Sequence, residues 1–365
     1  MRITRIATDH LRVPITFGNR ISLSGPKPSP ETIDVIVVDL ATDAGNGLGF
    51  TYLQGPGAAA ARDLIDNEMS SLMLGEEAAD IERLFAKAES RFRPVGFGGL
   101  AARAYAAIDI ALWDLKAKAA GLPLYQFLGH NKPAAPFFAS DIAILNRPAV
   151  DAVKLAQPLV KQGAMGVRVE VGSGDVRADA DRVREISDGL GDAASVSVAA
   201  DGRFDLGTAE ALTHFFEDIG IDWFEDPIPT ADELGYAKLA SLAEIPLAIG
   251  ASFDSRERFF RVLRSGTVRT VRPDPCRLGG ITPLLKIAAV AEAFQAAVSP
   301  VRMPEVGVHL ACGLAAVPHV DRVSWFAELF TGAPTIENGK LTPSRLPGLG
   351  IALDEIAASK RRVAQ

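Results

Sequence analysis

The apolar positions change their period along the chain, and those changes suggest its organisation. At the start they alternate with polar ones: Met1 is followed by Arg-Ile-Thr-Arg-Ile, a strand pattern. Ile33 to Leu40 is apolar and β-branched, and Asp43-Ala44-Gly45-Asn46-Gly47 is turn chemistry leading to Leu48-Gly49-Phe50. A meander of strands is expected, with residues 14–30, rich in Gly, Pro and Ser, as a loop. From about 58 to 128 the period turns helical. Ala104, Ala107, Ile108, Ala111, Leu112 and Leu115 make one apolar stripe, and Gly121 and Pro123 stop the helix.

From about 136 onward short apolar runs recur between helical segments. They are Pro136–Ala139, Gly166–Val171, Val196–Ala200, Ile221–Phe224, Pro246–Ile249, Val268–Val271, Ala297–Pro300 and Val323–Phe326. Their spacing, roughly 20 to 30 residues, is the length of a strand plus a returning helix. Eight such runs predict an α/β fold, a (β/α)8-type TIM barrel, behind an N-terminal α+β unit. A doubly wound sheet is the rival, but no Gly-x-Gly-x-x-Gly opens a helix after a strand. The tail, with Lys340-Leu341-Thr342-Pro343 and Pro347-Gly348-Leu349-Gly350, reads as a return to the first unit. The expected boundaries are 1–128 for a capping domain, 129–330 for the barrel and 331–365 for the returning segment.

Composition narrows the partners. The 365 residues suit a barrel of about 250 residues plus a second unit of about 100. A net charge of -7 argues against nucleic acid, which calls for a basic patch. No apolar run is long enough to span a bilayer and no signal peptide is read, so a cytoplasmic location without membrane contact is expected. Cys276 and Cys312 stand outside any Cys-x-x-Cys or Cys/His cluster and read as reduced core thiols.

The chemistry enters through a resemblance. Ala107-Ile108-Asp109-Ile110-Ala111-Leu112-Trp113-Asp114-Leu115-Lys116-Ala117-Lys118, continuing to Leu128-Gly129, resembles the helix that closes the capping domain of the mandelate racemase and muconate lactonizing branch of the enolase superfamily. Trp223-Phe224-Glu225-Asp226-Pro227-Ile228-Pro229 is similar to that family's fourth-strand motif, and Arg277-Leu278-Gly279-Gly280-Ile281-Thr282 to the start of its sixth helix. The resemblance implies an isomerase or lyase that takes a proton beside a carboxylate. Carboxylates at the strand ends would hold Mg²⁺, and the base would be a Lys-x-Lys lysine or a histidine of an Asp/His dyad. Such a proton is weakly acidic, so a placed base and a cation on the developing charge are both needed.

Position by position, this chain departs from that pattern. Arg168 and Glu170 stand in place of the Lys-x-Lys pair. They share a strand face. Arginine holds a carboxylate well but is a poor base, so Arg168 is a candidate for substrate binding and, with Glu170 and Asp274, for catalysis. Ala199 occupies the first metal-ligand position, with Asp201 two residues on as a displaced ligand. Glu225 keeps the second ligand position, whereas Ala251, followed by Ser252, removes the third. Asp226, before a proline, reads as a turn residue. Asp274 keeps the dyad aspartate, but Val301 replaces its histidine. Glu328 is the candidate for the eighth-strand glutamate that binds substrate, with Asp321 as the other option. His10, His130, His214, His309 and His319 read as surface or helix residues.

The reading this favours is a catalytically degenerate member that keeps a pocket for a small-molecule carboxylate. The alternative is an active dehydratase, racemase or epimerase of a sugar acid or amino-acid derivative. Its site would be rebuilt, either as a displaced metal cluster of Glu170, Asp201 and Glu225 or as an acid/base pair of Glu170 and Asp274. A purely structural role beside an active paralogue is the remaining option. The resemblance also implies a homo-oligomer, and cap loops at 15–29 and 51–57 that set ligand choice.

Overall fold

The computed structural model describes residues 1–15 and 32–363. The loop expected over 14–30 falls, from residue 16 on, outside the described residues. The opening meander is an antiparallel sheet of β1 (Ile3–Pro14), β2 (Thr32–Thr42) and β3 (Gly45–Gln54). Helices Ile81–Phe92 and Leu100–Ala119 pack with it around a core that includes Val38, Leu84, Phe85 and Tyr105. Every residue of the expected stripe, Ala104 to Leu115, is buried. The helix is buried well beyond that stripe, because β3 covers one side and the barrel another. The approach to β3 is close enough to need glycine: a Cβ at Gly49 would sit 2.0 Å from the Ala107 carbonyl oxygen.

The eight barrel strands are β4 (Phe137–Ala143), β5 (Gly166–Glu170), β6 (Ser195–Ala199), β7 (Phe224–Glu225), β8 (Leu247–Ile249), β9 (Thr270–Val271), β10 (Ala297–Val298) and β11 (Val320–Arg322). They form one parallel sheet in the order β10-β9-β8-β7-β6-β5-β4-β11. This is the predicted (β/α)8-type barrel with an α+β cap. One strand corrects the expectation: the eighth is Val320–Arg322, not Val323–Phe326. The apolar run at 323–326 is a turn instead, because Asp141 at the end of β4 accepts hydrogen bonds from the Ser324 amide (2.7 Å) and hydroxyl (2.6 Å).

The motif aspartates tie the cap to the barrel. Asp109 accepts the Thr282 amide at 2.9 Å and hydroxyl at 2.6 Å, at the start of the barrel helix Ile281–Ala293. Trp113 donates its indole N–H to the same hydroxyl at 2.9 Å. Asp114 accepts from the amides of Leu48 (2.8 Å) and Leu349 (2.7 Å), joining the meander to the C-terminal segment. Burial pushes the Asp109 carboxyl up to about 7. The last helix, Glu355–Arg361, lies on β1, where the Val363 amide donates to the His10 carbonyl at 2.9 Å and Arg362 pairs with Asp9 at 3.0 Å.

Candidate active site at the barrel mouth

Strand register decides which side chains meet. Glu170, Ala199 and Glu225 are consecutive partners across β5, β6 and β7, so the methyl group of Ala199 lies between two carboxylates. Arg168, two residues before Glu170, reaches over to the same place. Its Nε donates to Glu225 Oε2 at 2.9 Å, its second contact with that carboxylate is 3.4 Å, and it donates to Glu170 Oε1 at 3.3 Å. Arg272, just after β9, approaches Glu225 Oε2 from the other side at 3.2 Å. It also donates to Ser299 at 2.7 Å and to both oxygens of Asp321 on β11, at 3.1 and 2.6 Å. The sheet has curled far enough for the sixth and eighth strands to share an ion pair. Burial alone would raise the Glu225 carboxyl, but Arg168 and Arg272 outweigh it and hold it well below the usual range.

Above this layer a cavity of about 580 Å³ opens at the C-terminal ends of the strands, where (β/α) barrels place their chemistry. It is lined by Gln54, Asp201, Gly202, Asp226, Pro229, Thr230, Ala231, Ala251, Ser252, Arg277 and Arg302. Asp226 takes φ +42, and its Oδ1 accepts the Gly250 amide at 3.3 Å. Burial, reinforced by the adjacent Glu225 charge, pushes its carboxyl well above the ordinary range. Arg302 takes φ +68, and its guanidinium lies 3.5 Å from Asp274 and 3.4 Å from the Ala251 carbonyl oxygen.

The residues expected from sequence fall into separate groups. Glu225 and Arg168 belong to the ion-paired layer beneath the cavity, and Asp201 lines the cavity while pairing with Arg203 at 3.1 Å and facing Arg168 at 3.8 Å. Neither Glu170 nor Asp274 lines the cavity. Glu170 accepts the Leu145 amide at 3.0 Å. Asp274 is fully buried, accepting the Tyr52 hydroxyl at 2.6 Å and the Cys276 amide at 2.9 Å. Burial and Asp274 push the Tyr52 hydroxyl up, so it stays a donor. Glu328 is corrected: it lies beyond the eighth strand, half-exposed, and pairs with Arg361 at 3.1 Å. The buried acid on that strand is Asp321. The histidine expectation also needs correcting. His10 is buried on β1, 2.8 Å from Asp34, and no histidine lines the cavity.

Sequence reasoning missed Arg302, Arg277 and Asp226 as cavity groups. The signal was present at Arg302, a charged residue directly after the strand-end position Val301.

The donor set does not fit a magnesium ion. Mg²⁺ needs several oxygen ligands in octahedral geometry, supplied mainly by carboxylates. Positions 199 and 251 offer methyl groups, and both oxygens of Glu225 already face guanidiniums. A dication there would displace or oppose two buried positive charges.

Comparison with known proteins agrees with the architecture. Residues 27–129 match the family model described as the mandelate racemase/muconate lactonizing enzyme N-terminal domain, and residues 151–357 match the enolase C-terminal domain-like model. The chain is 30% identical over 335 residues to L-talarate/galactarate dehydratase of Salmonella typhimurium, covering 91% of this chain and 83% of that protein. It is 29% identical over 356 residues to 3,6-anhydro-alpha-L-galactonate cycloisomerase of Streptomyces coelicolor, covering 96% and 97%. Among solved structures, L-talarate dehydratase from Polaromonas sp. JS666, complexed with Mg and L-glucarate, superposes with a TM-score of 0.90 at 30% identity, covering 99% of this chain and 98% of that one.

Proposed function

The chain belongs to the mandelate racemase/muconate lactonizing enzyme family of the enolase superfamily, and on that premise we propose that it is an enzyme moving a proton next to the carboxylate of a sugar-acid-type substrate, as a dehydratase, racemase or epimerase. The observation that carries this reading is the mouth cavity of about 580 Å³, which Arg302, Arg277, Asp226 and Asp201 line together. That volume suits a small polar acid. Removing a proton beside a carboxylate needs positive charge for the developing anion and a group to carry the proton. The two arginines supply the first, and the two cavity carboxyls are available for the second. The names of the related dehydratases and the cycloisomerase weigh toward an active enzyme rather than a degenerate one.

The test is a panel of aldonic and aldaric acids incubated with the protein in D₂O and followed by NMR. Deuterium entering at the carbon beside the carboxylate, or a keto-deoxy product, is the expected result, and Arg302→Gln should abolish it. A second reading, a carboxylate-binding protein without turnover, draws on the alanines at 199 and 251 and on the engaged state of Glu225. Binding of a panel acid without exchange or product in any case would favour it over the enzyme.

A further inference from the structure

We infer that the substrate carboxylate is held directly by the guanidiniums of Arg277 and Arg302, in a site that operates without a divalent cation. The inference rests on the barrel-mouth reading above and deepens it. Arg277 and Arg302 both line the cavity and share Asp274 as their carboxylate neighbour, at 3.8 and 3.5 Å. Asp274 is already engaged by the Tyr52 hydroxyl at 2.6 Å and the Cys276 amide at 2.9 Å. One buried carboxylate with other donors on it therefore faces two guanidiniums.

Arg277 is the less satisfied of the pair. Its Nε is buried with no hydrogen-bond partner. A buried donor left unmet is costly, which marks this guanidinium as short of acceptors. Burial, together with the positive charges of Arg103 and Arg302, shifts Arg277 down from its ordinary value, the electrostatic mark of a place that wants an anion. Arg302 adds a second sign. Its backbone sits at φ +68, a conformation an arginine seldom adopts and one that clusters at functional sites. The turn after β10 thus aims the guanidinium between Asp274 and the Ala251 carbonyl.

The same geometry explains the missing metal ligands. Ala251, at a lost ligand position, is where the Arg302 guanidinium now rests, and Arg168 occupies the oxygens of Glu225. A guanidinium pair offers fixed positive charge and forked donors for a carboxylate, the charge-stabilising part of what a cation supplies.

Two measurements on the whole protein test this. First, Mg²⁺ alone is titrated into the unmodified protein by calorimetry, with Mn²⁺ followed by electron paramagnetic resonance. No binding into the millimolar range is expected, and saturable binding of either ion overturns the inference. Second, binding of L-glucarate and of the acid panel is measured with EDTA and with Mg²⁺. The expected result is at least one acid whose Kd is the same in both. Arg277→Gln and Arg302→Gln should each weaken it by roughly tenfold or more, the loss of one charge-assisted pair, with the lysine variants recovering part. Kd falling on addition of Mg²⁺, unchanged Kd in folded glutamine variants, or no panel acid bound in EDTA each overturns it. Turnover that requires Mg²⁺ sinks this inference and leaves the proposed enzyme standing. Metal-independent binding with no turnover does the reverse.

Discussion

Glu225→Gln should destabilise the protein, and by an amount the barrel interior allows to be worked out. Glu225 is fully buried, and its charge is shared by Arg168 at 2.9 Å and Arg272 at 3.2 Å. Arg272 keeps Asp321 and Ser299 when Glu225 is neutralised. Arg168 keeps Glu170 at 3.3 Å and Asp201 at 3.8 Å, so it loses its shortest partner. Removing one side of a buried ion pair costs about 3–5 kcal/mol. Glutamine preserves volume and one acceptor, which places the loss near the lower end, about 3 kcal/mol. At roughly 2–4 °C per kcal/mol for a domain of this order of size, the melting temperature should fall by roughly 6–12 °C. The assay is calorimetric melting of the parent, Glu225→Gln, Arg168→Gln and the double variant. The double variant should be less destabilised than the sum of the singles, since one buried charge no longer opposes nothing. The folded carboxyl is held below its unfolded value, so its contribution is present above about pH 4.3 and is lost as pH falls through the depressed folded value. The gap between parent and Glu225→Gln should hold from neutrality to the ordinary carboxylate range and close below it. A variant that melts at or above the parent would falsify the reasoning, because that is how a crowded carboxylate kept for a cation behaves when the cation is absent.

Gly49→Ala should lower stability by several kcal/mol, roughly the cost of severe overpacking, since its Cβ would meet the Ala107 carbonyl at 2.0 Å and both partners are backbone; a urea midpoint within error of the parent refutes the close approach. His309 is held down at about 4 by burial, with its ring accepting the Tyr125 amide at 3.3 Å and facing the Leu349 carbonyl at 3.0 Å. Its contribution is present above about pH 6.5 and is lost as pH falls toward 4, because the unfolded chain takes the proton first. Melting against pH should show this loss in the parent and a shallower one in His309→Gln; parallel curves would count against it.

Much of the scaffold was legible along the chain. The stripe from Ala104 to Leu115 announced the buried cap helix, and Asp109 and Asp114 marked its motif, though not their work as staples to Thr282, Leu48 and Leu349. Seven barrel strands fell at the recurring apolar runs. The eighth did not, because Val323–Phe326 has the same apolar content as a strand while Asp141, remote in sequence, captures Ser324 and makes a turn. Substitution at Ala199 and Ala251 was equally readable, since register within a strand is local.

What sequence alone determined was therefore periodicity, family motifs and the alanines at 199 and 251, where the resemblance expects ligands. Tertiary structure decided where the charge went. Nothing in their own segments says which carboxylates Arg272, Arg277 and Arg302 will meet. Only the curl of the sheet brings β5, β7, β9 and β11 around one interior, so that Arg168 and Arg272 close on Glu225 while Arg277 and Arg302 are left facing the cavity. Local patterns report the period of a strand or helix, whereas the balance of buried charge depends on distances between residues far apart in the chain.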